Sequence, residues 1–500
     1  MIRDQAPAGM EQGDLGAQAK RAAVWALLDK WVTRTVTTVV FIVLARLLTP
    51  YQLGVGALAL VARNVLNVFI DQGFGRAIIQ VPVLERRYLN TAFWTAIGTG
   101  TLLTLVTLGV APFVARVVLG DASITPLLRV LAISLMFTAL SSTQNALLQR
   151  ELAFRELAIR RVVAQLVAGV AAVTVASLGG GAWSLVVQTL LQTGVGAVIL
   201  WRYSAWRPGL EFDRASFRPL ALFGANMVGI DLLNAVQQQA DNFLVGRSLG
   251  AAALGIYAVA FRFYYVIVDV TMSSMSNVAL STFSRVQADL SVARRTYLTA
   301  TRLTSVVAWP IFLGIAVVAP ELISVLVGDT WRAAVPVLRA LCPAGLILCL
   351  TYLDRSLTIG LGRPRLALAV AAAGVALRLV GYVVGVQFGV VGVAVGLSVS
   401  SILFWPARVL VVRRLTGLSI ASYGRQLISA ALSSVMMLLV LLGTRRLLLG
   451  HVGDLGLLAV EVLTGAAAYA LSLAVIDRGS VRELVGLGRS VLSDSRRNDR

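Results

Sequence analysis

The chain has 500 residues, of which 58% are hydrophobic and 14% charged, with a formal net charge of +20. A soluble domain carries about 45–50% apolar and about 25% charged residues, so this composition excludes a soluble protein and implies an integral membrane protein. The positive charge does not indicate nucleic acid, because the arginines are dispersed in short segments between apolar runs rather than gathered on one face.

Residues 1–21 read as a polar tail, and the run after them is too long for a cleaved signal sequence, so it is expected to stay as a span. A spanning helix needs about 20 mostly apolar residues. Fourteen segments qualify: 22–48, 53–79, 91–115, 126–148, 162–178, 182–201, 219–246, 252–282, 304–327, 335–360, 366–386, 389–407, 426–444 and 456–476. The predicted fold class is therefore all-α, with about 14 transmembrane helices.

Two motifs recur along these spans. R-x-L-x4-L-G occurs at Arg46, Leu48, Leu53, Gly54 and again, 201 residues on, at Arg247, Leu249, Leu254, Gly255. P-x-L-R-x-L occurs at Pro126, Leu128, Arg129, Leu131 and, 210 residues on, at Pro336, Leu338, Arg339, Leu341. A weaker pair, Leu178-Gly179 and Phe388-Gly389, keeps the offset of 210. The first motif joins span 1 to 2 and span 7 to 8, and the second opens spans 4 and 10. Each repeat holds six spans, an even number, so the two copies are expected to run parallel and to form two lobes, with two C-terminal helices outside the duplication.

The expected domains follow: a cytoplasmic tail (1–21), a first lobe (22–203), a cytoplasmic linker (204–217), a second lobe (218–412), spans 13 and 14 (413–476) and a basic cytoplasmic tail (477–500). Pro208-Gly209 breaks any helix in the linker. Val481–Leu492 has the pattern of a short amphipathic helix. With fourteen spans, 29 Lys/Arg fall on the side of the N-terminus and five on the other, namely Arg116, Arg247, Arg332, Arg445 and Arg446. Positive charge accumulates in the cytoplasm, so both termini are expected inside. Dropping one span would destroy this asymmetry.

Charge inside a span costs about 2.5–3.5 kcal/mol or more, so each such residue needs a reason. Arg46, Arg76, Arg129 and Arg339 lie near span ends and can snorkel to headgroups. Arg34, Arg63, Arg262 and Arg378 lie nearer the midpoints of spans 1, 2, 8 and 11. Lys30, Arg34 and Thr37 share a helix face, and Arg63, Asn67 and Asp71 run down one side of span 2. Asp231, Asn234, Gln238 and Asp241 line span 7, and Arg262 and Asp269 one side of span 8. One reading is internal salt bridges, such as Arg63 with Asp71 or Arg262 with Asp241. The other is a cationic cavity for an anion, since guanidinium binds phosphate in a bidentate way. The arginine excess favours the second. Asp71, Asp231, Asp241, Asp269 and Asp354 are then candidates for ion coupling or charge balance.

Trp94, Trp183, Trp201 and Trp405 read as interfacial residues, and Tyr257, Phe261, Tyr264 and Tyr265 as core. Cys342 and Cys349 are seven apart on one helix, roughly 10 Å of rise, too far for a disulfide. His451 is the single histidine, and no nucleophile–base pair or metal-ligand spacing stands out, so neither enzyme nor cofactor chemistry is expected.

The stretches ARLLTPYQLGVGALAL (45–60), DQGFGRAIIQ (71–80), LLQRELAFREL (147–157) and DNFLVGRSLGAAALGIYAVAFR (241–262) resemble the Wzx-type polysaccharide flippases of O-antigen and exopolysaccharide assembly. These belong to the multidrug/oligosaccharidyl-lipid/polysaccharide exporter superfamily, and the likeness runs from about residue 22 to 412. The resemblance implies a protein of the bacterial plasma membrane that flips undecaprenyl-diphosphate-linked oligosaccharides between leaflets by alternating access. Its partners would be that lipid-linked substrate, membrane lipid and the polymerase or glycosyltransferase machinery. Arg34, Arg63 and Arg262, with Lys30 and Arg378, would bind the diphosphate. Spans 13 and 14 would match two helices that hold the lipid tail in lipid II flippases. A lipid II flippase, a multidrug or cation antiporter of the same superfamily, and a non-transporting scaffold are the alternatives. The antiporter would favour an acidic lining.

Overall fold

Inside lipid every backbone polar group must be satisfied by the protein, and apolar runs achieve this as helices. The computed structural model describes residues 12–71, 75, 78–79, 85–285 and 289–479, and among these no strand occurs beyond one bridge between Leu449 and Val452. The helices are α1 (Gln12–Leu47), α2 (Pro50–Asp71), α3 (Arg86–Phe113), α4 (Ile124–Arg150), α5 (Phe154–Ser177), α6 (Trp183–Tyr203), α7 (Arg214–Leu249), α8 (Ala251–Arg285), α9 (Leu290–Val327), α10 (Ala334–Leu350), α11 (Tyr352–Gly360), α12 (Pro364–Gly385), α13 (Gly389–Thr416), α14 (Ile420–Leu448) and α15 (Asp454–Ile476). The predicted helix at Val481–Leu492, Arg76 and most of the 71–80 motif lie outside the described residues.

Helices occur at the expected spans, and among the described residues eleven stretches are long and apolar enough to cross a membrane by length and composition. α12 and α13 together form one continuous apolar stretch of 53 residues, where two spans were expected. Boundaries shift as well. α1 starts at Gln12, inside the expected tail, and α7 at Arg214, inside the expected linker. α9 starts at Leu290 rather than 304, because Asp289 caps it by accepting from the Ser291 N–H at 2.8 Å and the Val292 N–H at 3.4 Å. Hydrogen bonds from the side chain and backbone of Ser291 hold that carboxyl below the usual carboxylate range. The expected span 10 is broken at Thr351 into α10 and α11. α14 runs to Leu448, so Arg445 and Arg446 belong to a helix and not to an outer loop.

The chain divides into two compact units, Met1–Gly255 and Ile256–Arg500. In the first, α1 packs on α5, α5 on α6, α3 on α4, α4 on α2 and α6, and α7 on α2. In the second, α9 packs against α10, α14 and α15, α10 against α13, and α12 against α13. Gly381 and Gly385 of α12 meet Gly392 and Gly396 of α13 so closely that a Cβ at any of them would overlap a glycine carbonyl of the other helix. This is the small-xxx-small packing that lets helices associate in lipid. Leucines such as Leu102, Leu105, Leu368, Leu403 and Leu463 are exposed, as a surface against hydrocarbon requires.

The repeated motifs occupy equivalent structure. Leu128 and Leu131 are buried while Pro126 and Arg129 are exposed, and Leu338, Leu341, Pro336 and Arg339 repeat that pattern. Gly179 and Gly389 both turn the chain with positive φ, 84° and 80°. The first motif pair meets itself. A Cβ on Gly54 would overlap the carbonyl oxygen of Ala251, and one on Gly255 would overlap that of Pro50. Ala251 and Gly255 stand 201 residues after Pro50 and Gly54, so the contact is reciprocal.

The segment between α6 and α7 is docked on α3. Gly209 N–H donates to Asn90 Oδ1 at 3.0 Å, and the Gly209 carbonyl accepts from Trp94 Nε1 at 2.8 Å. Asp213 N–H donates to Thr91 Oγ1 at 3.0 Å. Three of the tryptophans expected at the interface thus prove to be bonded within the protein: Trp94 here, Trp201 to the Leu140 carbonyl at 2.9 Å, and Trp405 to Tyr423 Oη at 3.1 Å. Cys342 and Cys349 are free and buried.

Substituting Gly54→Ala or Gly255→Ala forces backbone apart and is expected to cost about 1–3 kcal/mol. Gly424→Ala, where nothing lies within 4 Å, should be neutral or slightly stabilising. Melting of the purified protein in lipid nanodiscs measures both.

Candidate functional site

Arg63 lies near the middle of α2, on the side that faces α4. Its Nε donates to Ser134 Oγ at 3.1 Å and its Nη1 to Asn64 Oδ1 at 3.4 Å. Ser134 is fully buried, and its own hydroxyl donates a hydrogen bond to the Leu131 carbonyl at 2.6 Å. Among the described residues the groups that hold Arg63 are therefore neutral, and its positive charge is not cancelled by a carboxylate. Asn67, one turn on, has a buried Oδ1 without a hydrogen-bond partner among them. Asp71 ends α2, and its side chain lies outside the described residues.

On α1, Arg34 is half-buried with its guanidinium 5.8 Å from the Trp31 ring, while Lys30 is exposed. Asp29 beside them is buried and committed to structure. It accepts from Thr33 Oγ1 at 3.2 Å and pairs with Arg161 of α5 at 3.1 Å. α7 packs on α2 and carries Asp231 half-buried, Asn234 and Gln238 exposed, and Asp241 buried. Asp241 Oδ1 accepts from the Asn242 N–H at 2.8 Å.

In the second unit, Arg262 and Asp269 are half-buried on α8. The aromatics around Arg262 are core, as expected: Tyr257 and Tyr264 are buried, Tyr257 stacks on Phe261 at 5.5 Å, and Tyr264 meets Phe312 at 6.5 Å. Tyr265 is instead exposed. Arg378 turns back on its own helix and donates from Nε to the Gly374 carbonyl at 3.3 Å. Asp354 sits in a closed network. It accepts from Tyr297 Oη at 2.7 Å and from Arg408 Nε at 2.9 Å, and Arg408 also donates to the Thr351 carbonyl. That network ties α9, α11 and α13 over a core of Tyr297, Leu350, Leu357, Val412 and Tyr423. An apolar groove of about 500 Å³ runs beside α12 and α13, lined by Val380, Val384, Phe388 and Leu403 among others.

Sequence reasoning missed one polar cluster. Arg445 of α14 binds Glu321 of α9 and Glu461 of α15. A signal was available, since Glu321 and Glu461 each stand inside an apolar span, but the carboxylates singled out within spans were all aspartates. Arg339, expected to snorkel, instead donates from Nε to the Ala316 carbonyl at 2.8 Å. Pro320, four residues on, cannot donate to that carbonyl, so the arginine replaces the missing helix hydrogen bond.

Residues 43–336 match the model of a family described as "Polysaccharide biosynthesis protein". The chain is 26% identical over 353 residues to the teichuronic acid biosynthesis protein TuaB of Bacillus subtilis, covering 70% of this chain and 73% of that one. It is 26% identical over 340 residues to the succinoglycan biosynthesis transport protein ExoT of Rhizobium meliloti, covering 68% and 69%. Its fold matches a solved structure of the lipid II flippase MurJ in an inward closed conformation, with a TM-score of 0.75 at 12% identity, over 92% of this chain and 100% of that one.

Removing Arg408 with Arg408→Leu strands Asp354 and is expected to cost about 3–5 kcal/mol, while the double variant Asp354→Leu/Arg408→Leu should recover most of the loss. Denaturation of the three proteins in detergent decides this.

Proposed function

The chain belongs to the family of polysaccharide biosynthesis proteins, and we propose that it flips undecaprenyl-diphosphate-linked oligosaccharide units across the plasma membrane by alternating access. The observation that carries this reading is Arg63, a guanidinium at mid-helix whose partners among the described residues are neutral. A half-buried cation held only by neutral groups among the described residues is completed by an anion, and a diphosphate offers the oxygens a guanidinium fork fits. The names of the relatives, teichuronic acid biosynthesis and succinoglycan transport, point to the same class of cargo.

In this reading Arg34, Arg63 and Arg262 bind the diphosphate, with Lys30 and Arg378 as further cations. Asp71, Asp231, Asp241 and Asp269 balance or couple the cycle through ions, while the bonding of Asp354 supports a structural task. The termini lie in the cytoplasm, where the lipid-linked unit is made, and a polymerase or glycosyltransferases act before and after the flip. No covalent chemistry is asked of this chain. It has to neutralise the phosphates for part of the way and let water reach the sugar.

Arg63→Gln is expected to lower export about tenfold or more, the loss of one charge-assisted contact of about 1.5–3 kcal/mol. Arg63→Lys should retain part of it. The assay is accumulation of the lipid-linked unit in the inner leaflet of cells whose only copy is the variant. Normal export by Arg63→Gln protein present at wild-type level would overturn the assignment.

A further inference from the structure

The cluster missed by sequence reasoning has an uneven supply of hydrogens. Arg445 grips Glu321 with two parallel bonds, Nη2 to Oε1 at 2.7 Å and Nη1 to Oε2 at 3.0 Å. Nη1 also reaches the Val317 carbonyl at 3.1 Å and Glu461 Oε1 at 3.3 Å. A guanidinium Nη carries two hydrogens, and here three acceptors share them. Glu461 is the farthest of the three. It is also fully buried, and its Oε2 has no hydrogen-bond partner among the described residues. One guanidinium is thus divided between two buried carboxyls and satisfies one of them. Two such groups sharing a single cation do not both ionise without cost; one keeps a proton.

We propose that Glu321, Arg445 and Glu461 form a binding site for one exchangeable proton, carried by Glu461, and that the bound proton keeps α15 docked on α9 and α14. Arg445 fills the space between the two carboxyls, so the charge that fits the remaining oxygen is a proton rather than a metal cation. Among the described residues the other charged groups nearby make no hydrogen bond or ion pair with Glu461. From α10, Arg339 is exposed and donates to the carbonyls of Ala316 and Val317. From α14, Arg446 is exposed. From α15, Asp454 is exposed and accepts from Ser324 of α9. The turns contribute His451, exposed, and Asp329, which pairs with Arg332 at 3.0 Å at the surface.

The cluster lies at the ends of helices assigned to the outer face, within a few turns of Asp454 and His451. Proton exchange with the outside is short-range from there. When Glu461 ionises, its charge meets Glu321 and a buried oxygen without a donor, and the α9–α14–α15 contact weakens. The neutral form belongs to the docked state, so its stabilisation is present at low pH and lost as pH rises. The inference does not depend on the identity of the exported molecule.

The test uses the full-length protein in lipid nanodiscs, melted at values from about pH 5 to about pH 9 and examined by infrared difference spectroscopy. The wild-type midpoint should fall as pH rises relative to Glu461→Gln, which mimics the protonated carboxyl and cannot ionise. At neutral pH the wild type should show one more protonated carboxyl band than Glu461→Gln. It should also show one more than Glu321→Gln, where Arg445 is released to an ionised Glu461. Both variants losing only an ionised carboxylate band, or midpoints that run parallel across the pH range, would overturn the proposal. So would a midpoint that follows sodium at fixed pH. If Glu461→Gln does not fold, the Glu321→Gln spectrum alone decides.

Discussion

The cost of a charge in hydrocarbon governs this molecule. Every ionisable side chain inside a span must be paired, must turn to the backbone, or must face water, and each case occurs. Asp354 with Arg408 and Asp29 with Arg161 are paired. Arg339 and Arg378 donate to helix carbonyls. Arg63 is different, because the groups that hold it are a hydroxyl and an amide. The first two solutions build the bundle. Arg63 itself is half-buried and is held by neutral groups among the described residues, and the proposed anion site rests on it.

The same cost explains why the scaffold is rich in glycine at helix contacts. In lipid the helices gain little from hiding apolar surface, so close backbone approach must supply the packing. Gly381 and Gly385 against Gly392 and Gly396 show this within one hairpin. Gly54 and Gly255 show it between the two copies of one motif, where each helix start admits the carbonyl of the other. The duplicated motifs therefore encode close approach and turns.

Much of the helical architecture was legible in the sequence because it follows from one strong signal, long apolar runs. The repeats were legible because glycines with positive φ and exposed Pro/Arg pairs leave fixed letters at fixed offsets. What was not legible depends on contacts far apart in the chain. Nothing local indicates that Arg408 reaches back to Asp354, or that Arg445 would lie in a helix between two glutamates. Helix ends were missed where a cap or a polar stretch overrode hydropathy, as at Asp289 and across α1 and α7. The break at Thr351 leaves no proline or glycine to mark it.

The comparison of the two copies places structure and chemistry at different positions. In the alignment set by the first motif, Arg63 corresponds to Tyr264, and Arg34 to Ala235. Tyr264 is buried and packs with Phe261 and Phe312, so the second copy uses that position for core. The first copy uses it for a charge held by Ser134. A duplicated protein that needed two equal sites would keep arginine in both. At this position one copy packs core and the other holds a cation, so the repeat fixes the frame there and leaves the chemistry of the side chain free to differ.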